Sequence, residues 1–251
     1  MPVRRAAMRN TWIITKREFG SYFGTPLAYI FIIIFLSLTG ALTFYLGGFL
    51  YNGQASLETF FVYHPWLYLL LVPAVAMRLW AEERKTGTIE NLMTLPVSTY
   101  EAVLGKFLAA WAFCGVALAL TFPIWITVNF LGDPDNGVIL ASYVGSFLMA
   151  GAFLAIGSCM SALTKNQVIA FVIAATACFL FTMSGLDLVL NFFRAWSPEW
   201  LVETVASLSF LTHFNAVTQG LIEARDVVFF VSLIAFWLFA NVLIVDLKRA
   251  G

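Results

Sequence analysis

Charge is scarce in this sequence: Asp, Glu, Lys and Arg make up 11% of its 251 residues, against about a quarter in a soluble domain. What charge there is cancels, 14 Lys and Arg against 14 Asp and Glu, so the basic face that a nucleic-acid binder needs is missing. Cysteine is almost absent. Cys114, Cys159 and Cys178 sit inside apolar runs without Cys-x-x-Cys spacing, which reads as small packing residues and not as a disulfide framework or metal site. The two histidines, His64 and His213, are far apart and form no His-Glu-x-x-His pattern, so metal chemistry is not expected. There is no phosphate-binding loop, because Gly105-Lys106 is followed by Phe107, and no Gly-x-Ser-x-Gly elbow. These absences predict a chain that is not an enzyme and holds no cofactor of its own.

Apolar residues, in contrast, make up 61% of the chain and aromatics 16%. Windows of about 19 residues pick out six runs long enough to cross a bilayer. They lie near Leu27 to Phe49, Phe61 to Trp80, Val103 to Phe130, Val138 to Leu163, Val168 to Leu190 and Val227 to Val245. Ionisable residues are nearly missing from them, as expected when each costs roughly 2.5 to 3.5 kcal/mol at the bilayer centre. Asp187 falls toward the end of the fifth run, and Arg78 can snorkel from the end of the second. Without a chain of buried acids, coupling to a proton or sodium gradient has no support. The first 24 residues carry five basic residues and no h-region, so a cleavable signal peptide is not expected.

Positive residues near span ends stay on the cytoplasmic side. With the N-terminus inside, twelve of the fourteen fall in inner segments, and Arg194 and Arg225 alone fall outside. The expected topology is six spans with both termini cytoplasmic, in a single domain over residues 1–251. Before the first span, Trp12, Phe19, Tyr22 and Phe23 share one helical face, which predicts an interfacial helix over residues 9–24 lying on anionic headgroups. A polar lead-in is the alternative. The outer segment, residues 191–226, is aromatic but too broken to span. Ser197-Pro198-Glu199 predicts a helix start, and two short amphipathic helices follow, one with Leu201, Val205 and Leu208 on its apolar face and one with Phe214, Val217 and Leu221. They either re-enter the outer leaflet or lie on it. In the fourth span, Ala152, Ala155, Cys159 and Ala162 form a small-residue face suited to a dimer seam or to packing within one subunit.

The sharpest signal is the inner segment over residues 82–98. Gly87 stops the helix leaving the second span, Thr88 can cap a new one with Glu90 in its first turn, and Ile89, Leu92 and Met93 form an apolar stripe. Pro96 ends that helix, and Ser98-x-x-Glu101 is a capping box for the third span. A two-turn helix is too short to be stable alone in water. Lipid headgroups or the groove of a soluble partner would order it.

The run Glu82-Glu83-Arg84-Lys85-Thr86-Gly87-Thr88-Ile89-Glu90, followed by Leu92, Leu95-Pro96-Val97-Ser98 and Gly105-Lys106, resembles the cytoplasmic signature of ABC-2 type permeases. Six spans, the N-terminal helix and the broken outer segment agree with it along nearly the whole chain. Ser209 to Phe214, Gly220-Leu221-Ile222 and Arg225-Asp226 look most similar to the gliding-motility-associated branch. The resemblance implies an all-α polytopic inner-membrane protein, with a coupling helix around Thr88 to Leu95 that docks on an ATP-binding subunit. The docking residues would be Glu82, Glu83, Gly87, Thr88, Ile89, Glu90, Leu92, Met93, Leu95 and Pro96. It also implies a second six-span half, either the same chain or a paralogue, and ATP and Mg held only by the partner ATPase. The function expected is a transporter permease, an exporter in direction. The alternative is a membrane scaffold anchoring an ATPase that does mechanical work on envelope partners.

Overall fold

The computed structural model describes residues 2–51, 53, 55–87, 97–194, 197–220 and 223–249. Among these the chain is all-helical, without a strand. In order it forms α1 (Pro2–Phe23), α2 (Pro26–Ala41) continued by a π-helical turn (Leu42–Leu46), α3 (Glu58–Phe61), α4 (His64–Ala76) and α5 (Arg78–Thr86). Then come α6 (Thr99–Ala119), α7 (Phe122–Leu131), α8 (Asn136–Leu163), α9 (Gln167–Met183), α10 (Asp187–Arg194), α11 (Glu199–Ser207), α12 (Phe210–Thr218) and α13 (Ala224–Arg249).

Side-chain caps fix several of these starts. Asp135 accepts from the Gly137 and Val138 amides ahead of α8, Asn166 from Val168 and Ile169 ahead of α9, and Ser209 from Thr212 ahead of α12. Each satisfies amides that a helix N-terminus leaves bare. Among the described residues, five helical stretches are long and apolar enough to cross a membrane: Pro26–Leu46, Glu58–Thr86, Thr99–Leu131, Asn136–Leu163 and Ala224–Lys248. The fifth run, Val168 to Leu190, differs from expectation. It breaks after Met183, and α10 leaves α9 at 72°, so Leu190 belongs to a separate helix. Hydropathy is blind to the turn at Ser184 to Leu186, where the Leu186 amide bonds back to the Met183 carbonyl and Asp187 opens a new first turn.

The core is organised around α8, against which α4, α5, α6, α9, α12 and α13 all pack. Ala152, Ala155, Cys159 and Ala162 are buried within this one chain, which settles the small-residue face as internal packing. Gly157 shows why the helices come so close: a Cβ there would lie 2.4 Å from the Ala76 Cβ.

The N-terminal helix is also placed differently from the expectation. Trp12 faces outward at 67% exposure, but Phe19, Tyr22 and Phe23 pack against the core, with Tyr22 stacked on Phe113 at 5.0 Å. Thr11, Ile14 and Thr15 are buried, and the Thr15 hydroxyl donates to the Gly105 carbonyl at 3.2 Å. Pattern reading weighs large apolar residues, whereas this helix docks along α6 through a ridge of threonines at helical spacing. Downstream, α11 buries Val202 in place of the expected Leu201, Val205 and Leu208 face. In α12, Phe214 and Val217 are buried as expected, and Phe210 and His213 join them. Leu221 lies outside the described residues.

Candidate functional site

The predicted docking segment is described only at its two stems. Thr88, Ile89, Glu90, Leu92, Met93, Leu95 and Pro96 lie outside the described residues, and Glu82, Glu83 and Gly87 lie within them. On the first stem, α5 ends at Gly87, whose φ of 74° is left-handed, a conformation that costs a side-chain-bearing residue more than glycine. On the second, Ser98 and Glu101 form both bonds of a capping box: the Glu101 amide donates to the Ser98 hydroxyl at 3.3 Å, and the Ser98 amide to Glu101 Oε2 at 2.8 Å. The first stem thus ends sharply at Gly87 and the second starts sharply at Ser98.

Three polar clasps tie these stems to the rest of the bundle. In the first, Lys106 of α6 is 2% exposed and places its Nζ 2.6 Å from Glu83 Oε1 of α5 and 3.4 Å from Glu18 Oε2 of α1. The ammonium also lies 5.4 Å from the Trp80 ring centroid, where the aromatic quadrupole attracts it. Burial of Glu18 alone would raise its pKa, but Lys106 and Arg17 together hold it below the ordinary 4.5. Lys106 thus bridges two carboxylates and joins three helices.

In the second clasp, the Arg84 guanidinium donates to the Ala162 carbonyl at 2.6 Å, and Lys248 of α13 donates to the Leu163 carbonyl. Both cations sit at the C-terminus of α8, where orphan carbonyls and the negative end of the helix dipole favour positive charge. In the third, Thr99 donates to Asp246 Oδ1 of α13 at 2.5 Å, while Asn10 of α1 donates to Glu101 Oε1 at 3.5 Å. Glu82 instead pairs within α5, accepting from Arg78 at 2.9 and 3.2 Å.

Below the clasps lies a buried hydrogen-bonded cluster. The Ser161 hydroxyl accepts from the Trp80 and Ala81 amides, each at 3.1 Å, and donates to the Met77 carbonyl at 2.8 Å. It bridges the junction of α4 and α5 at Met77, one turn after Pro73, which lacks the amide that would bond back within α4. Ser158 accepts from the Trp80 indole at 3.3 Å and from Asn241 of α13 at 2.7 Å. None of this arrangement performs bond chemistry. With the clasps, it joins α5, α6, α8 and α13 through side-chain contacts.

Pattern reading had Gly105-Lys106 as part of a signature and Arg84 and Lys248 as topology markers, without their partners. The missed residues, Glu18, Ser158, Ser161, Asn241 and Asp246, carry no motif. The one available signal was polar residues recurring within otherwise apolar helices, which membrane depth tolerates only when they are paired.

A family model described as ABC-2 family transporter protein matches residues 12–245. The chain belongs to this family. It is accordingly the membrane subunit of an ABC transporter, a multi-pass membrane protein that works with an ATP-binding partner and is not itself the ATPase. No curated protein matches the chain.

Proposed function

We propose that this chain is the permease half of an ABC exporter in a bacterial inner membrane, within the gliding-motility-associated branch, with both termini cytoplasmic and residues 82–98 docking on the ATPase. Two such halves, identical or paralogous, would form a two-fold assembly in lipid, with ATP and Mg bound on the ATPase subunits. The observation that carries the reading is the pair of clasped stems. Nucleotide-driven closure of two ATPases would displace residues 88–96. Because Glu83 and Lys106 tie α5 to α6, and Arg84 ties α5 to α8, the displacement reaches the bilayer as rigid-body rocking of the bundle and not as local bending.

The test is Leu92→Asp with Met93→Asp. Two charges on the stripe that enters a desolvated groove have no compensation there, so the inserted protein should lose its ATPase in a pull-down while keeping its own fold. Undiminished ATPase recovery from correctly inserted double mutant would sink the docking assignment. Nucleotide-dependent solute movement in vesicles, measured on the intact assembly, separates export from the scaffold reading: an ATPase that co-purifies and turns over without moving any solute favours the scaffold.

A further inference from the structure

The end of the bundle opposite Gly87 holds a second buried ionic contact, independent of the clasps. His213 on α12 and Asp226 in the first turn of α13 are each 4% exposed, and their Nδ1 and Oδ1 are 2.6 Å apart. The other ring nitrogen, Nε2, lies 2.9 Å from the carbonyl oxygen of Ser207, the last residue of α11. Through one side chain, α11, α12 and α13 are joined.

The proton count of this contact is informative. A carboxylate and a carbonyl accept hydrogen bonds and cannot donate. Two hydrogen bonds therefore need two protons, whereas a neutral imidazole beside a carboxylate brings one. The observed geometry is the form holding one proton more. That proton belongs to the imidazole: the Phe229 ring stacks on it at 4.0 Å, which favours a cation, and the first turn of a helix favours Asp226 as an anion. Removing the proton sets a lone pair against a lone pair at one of the two contacts. The bond to the carboxylate is charge-assisted and the shorter of the two, so it is kept. The contact to Ser207 is the one lost.

α11 packs mainly on α10 and buries one residue, Val202, so the Ser207 contact is a large share of what ties it to α12 and α13. A cleft of about 460 Å³ bordered by Glu203, Ser207, Thr212, Glu223 and Arg225 lies beside the pair and gives water a route to it. The charged groups facing the pair are thus Glu203 from α11 and Glu223 and Arg225 around the start of α13. The other helices packed on α12 bring no charge: α8 presents Gly145 to Val217, and the α9 carbonyl of Thr182 accepts from Ser209.

We propose that His213 and Asp226 form a proton-operated latch, which holds α11 against α12 and α13 when protonated and releases α11 when one proton leaves as the pH rises. The test is amide hydrogen exchange of the full chain in lipid nanodiscs from pH 5 to 9, corrected for the intrinsic rate. Amides 203–209 should exchange about tenfold faster at the alkaline end, the factor expected for one hydrogen bond to a charged group. His213→Gln and Asp226→Asn should abolish the pH dependence, while Glu203→Gln and Glu223→Gln should keep it. Side-chain nitrogen NMR of the unsubstituted 213 position, with His64→Phe removing the other histidine, should show both ring nitrogens protonated at pH 5 and one bare at pH 9. A flat exchange profile, an unchanged pH dependence in His213→Gln, or a bare ring nitrogen at pH 5 would each overturn the latch.

Discussion

Replacing Lys106 with methionine keeps the length of the side chain and removes its charge. Nearly the whole of Lys106 is buried, while the carboxylates it bridges retain 18% (Glu18) and 21% (Glu83) of their side-chain surface. Removing one partner of a buried ion pair costs about 3 to 5 kcal/mol, because the opposite charge stays behind. The partial exposure of both carboxylates puts this case at the low end, about 3 kcal/mol, or roughly two decades in an equilibrium constant. The loss should appear where Glu18 sits, as faster amide exchange across residues 10–23 of α1, with α8 unaffected. The triple variant Lys106→Met, Glu18→Gln, Glu83→Gln removes the stranded charges and should recover most of the protection. The depressed pKa of Glu18 sets the sign of the pH dependence: its stabilising contribution is fully present above the ordinary 4.5 and is lost as pH falls through the lower folded value. Protection of α1 should therefore fall only in stronger acid, and Glu18→Gln should remove that acid limb. A Lys106→Met protein whose α1 exchanges within threefold of the parent, or a triple variant no better than the single, would refute the bridge as a structural tie.

Three further outcomes follow from the geometry. Gly87→Ala meets no neighbouring atom but must hold φ at 74°, a strain of about 1 kcal/mol; the assembly should bind its ATPase yet lose substrate-stimulated hydrolysis, with Thr86→Ala near-silent as the control, and wild-type stimulation would move the lever elsewhere. Gly157→Ala should lower the yield of folded protein in size-exclusion chromatography, and Ala76→Gly should restore it by removing the atom 2.4 Å from the new Cβ; failure of the rescue would mean that the helix approach is not the cause. In a background without Cys114, Cys159 and Cys178, single cysteines at Asn136 and Ser197 should react with an impermeant thiol reagent from outside intact cells and one at Thr94 should not, the reverse pattern inverting the topology.

Local chemistry was legible in the sequence wherever one residue decides it. Gly87 ends a helix because a left-handed cap suits glycine, and Ser98 with Glu101 starts one because their spacing satisfies amides reciprocally. Such features need three or four consecutive residues and no knowledge of the fold. The Ser197-Pro198-Glu199 start came out one residue late, with Pro198 at the cap, because the Ser197 hydroxyl donates back to the Phe193 carbonyl at 2.8 Å. The clasps were not legible. Lys106 and Glu83 are 23 residues apart, and the Thr99 contact with Asp246 spans 147, so no local period connects them. The small-residue face of α8 could be seen, but whether it met a partner or its own chain depended on tertiary packing.

The central position of α8 has a consequence for biosynthesis. Its Ser158 is bonded on one side to Trp80, made earlier, and on the other to Asn241 of α13, made later. The most extensive helix packing among the described residues, α8 with α13, likewise waits for α13. From the synthesis of Leu163 until that of α13, α8 therefore sits in the bilayer against its earlier neighbours, with Ser158 still lacking Asn241 and stable as a helix because its backbone is satisfied. A ribosome stalled before Ala224 would leave five apolar runs inserted around an open seam, a ready substrate for membrane quality control. The bundle closes only once α13 has been inserted.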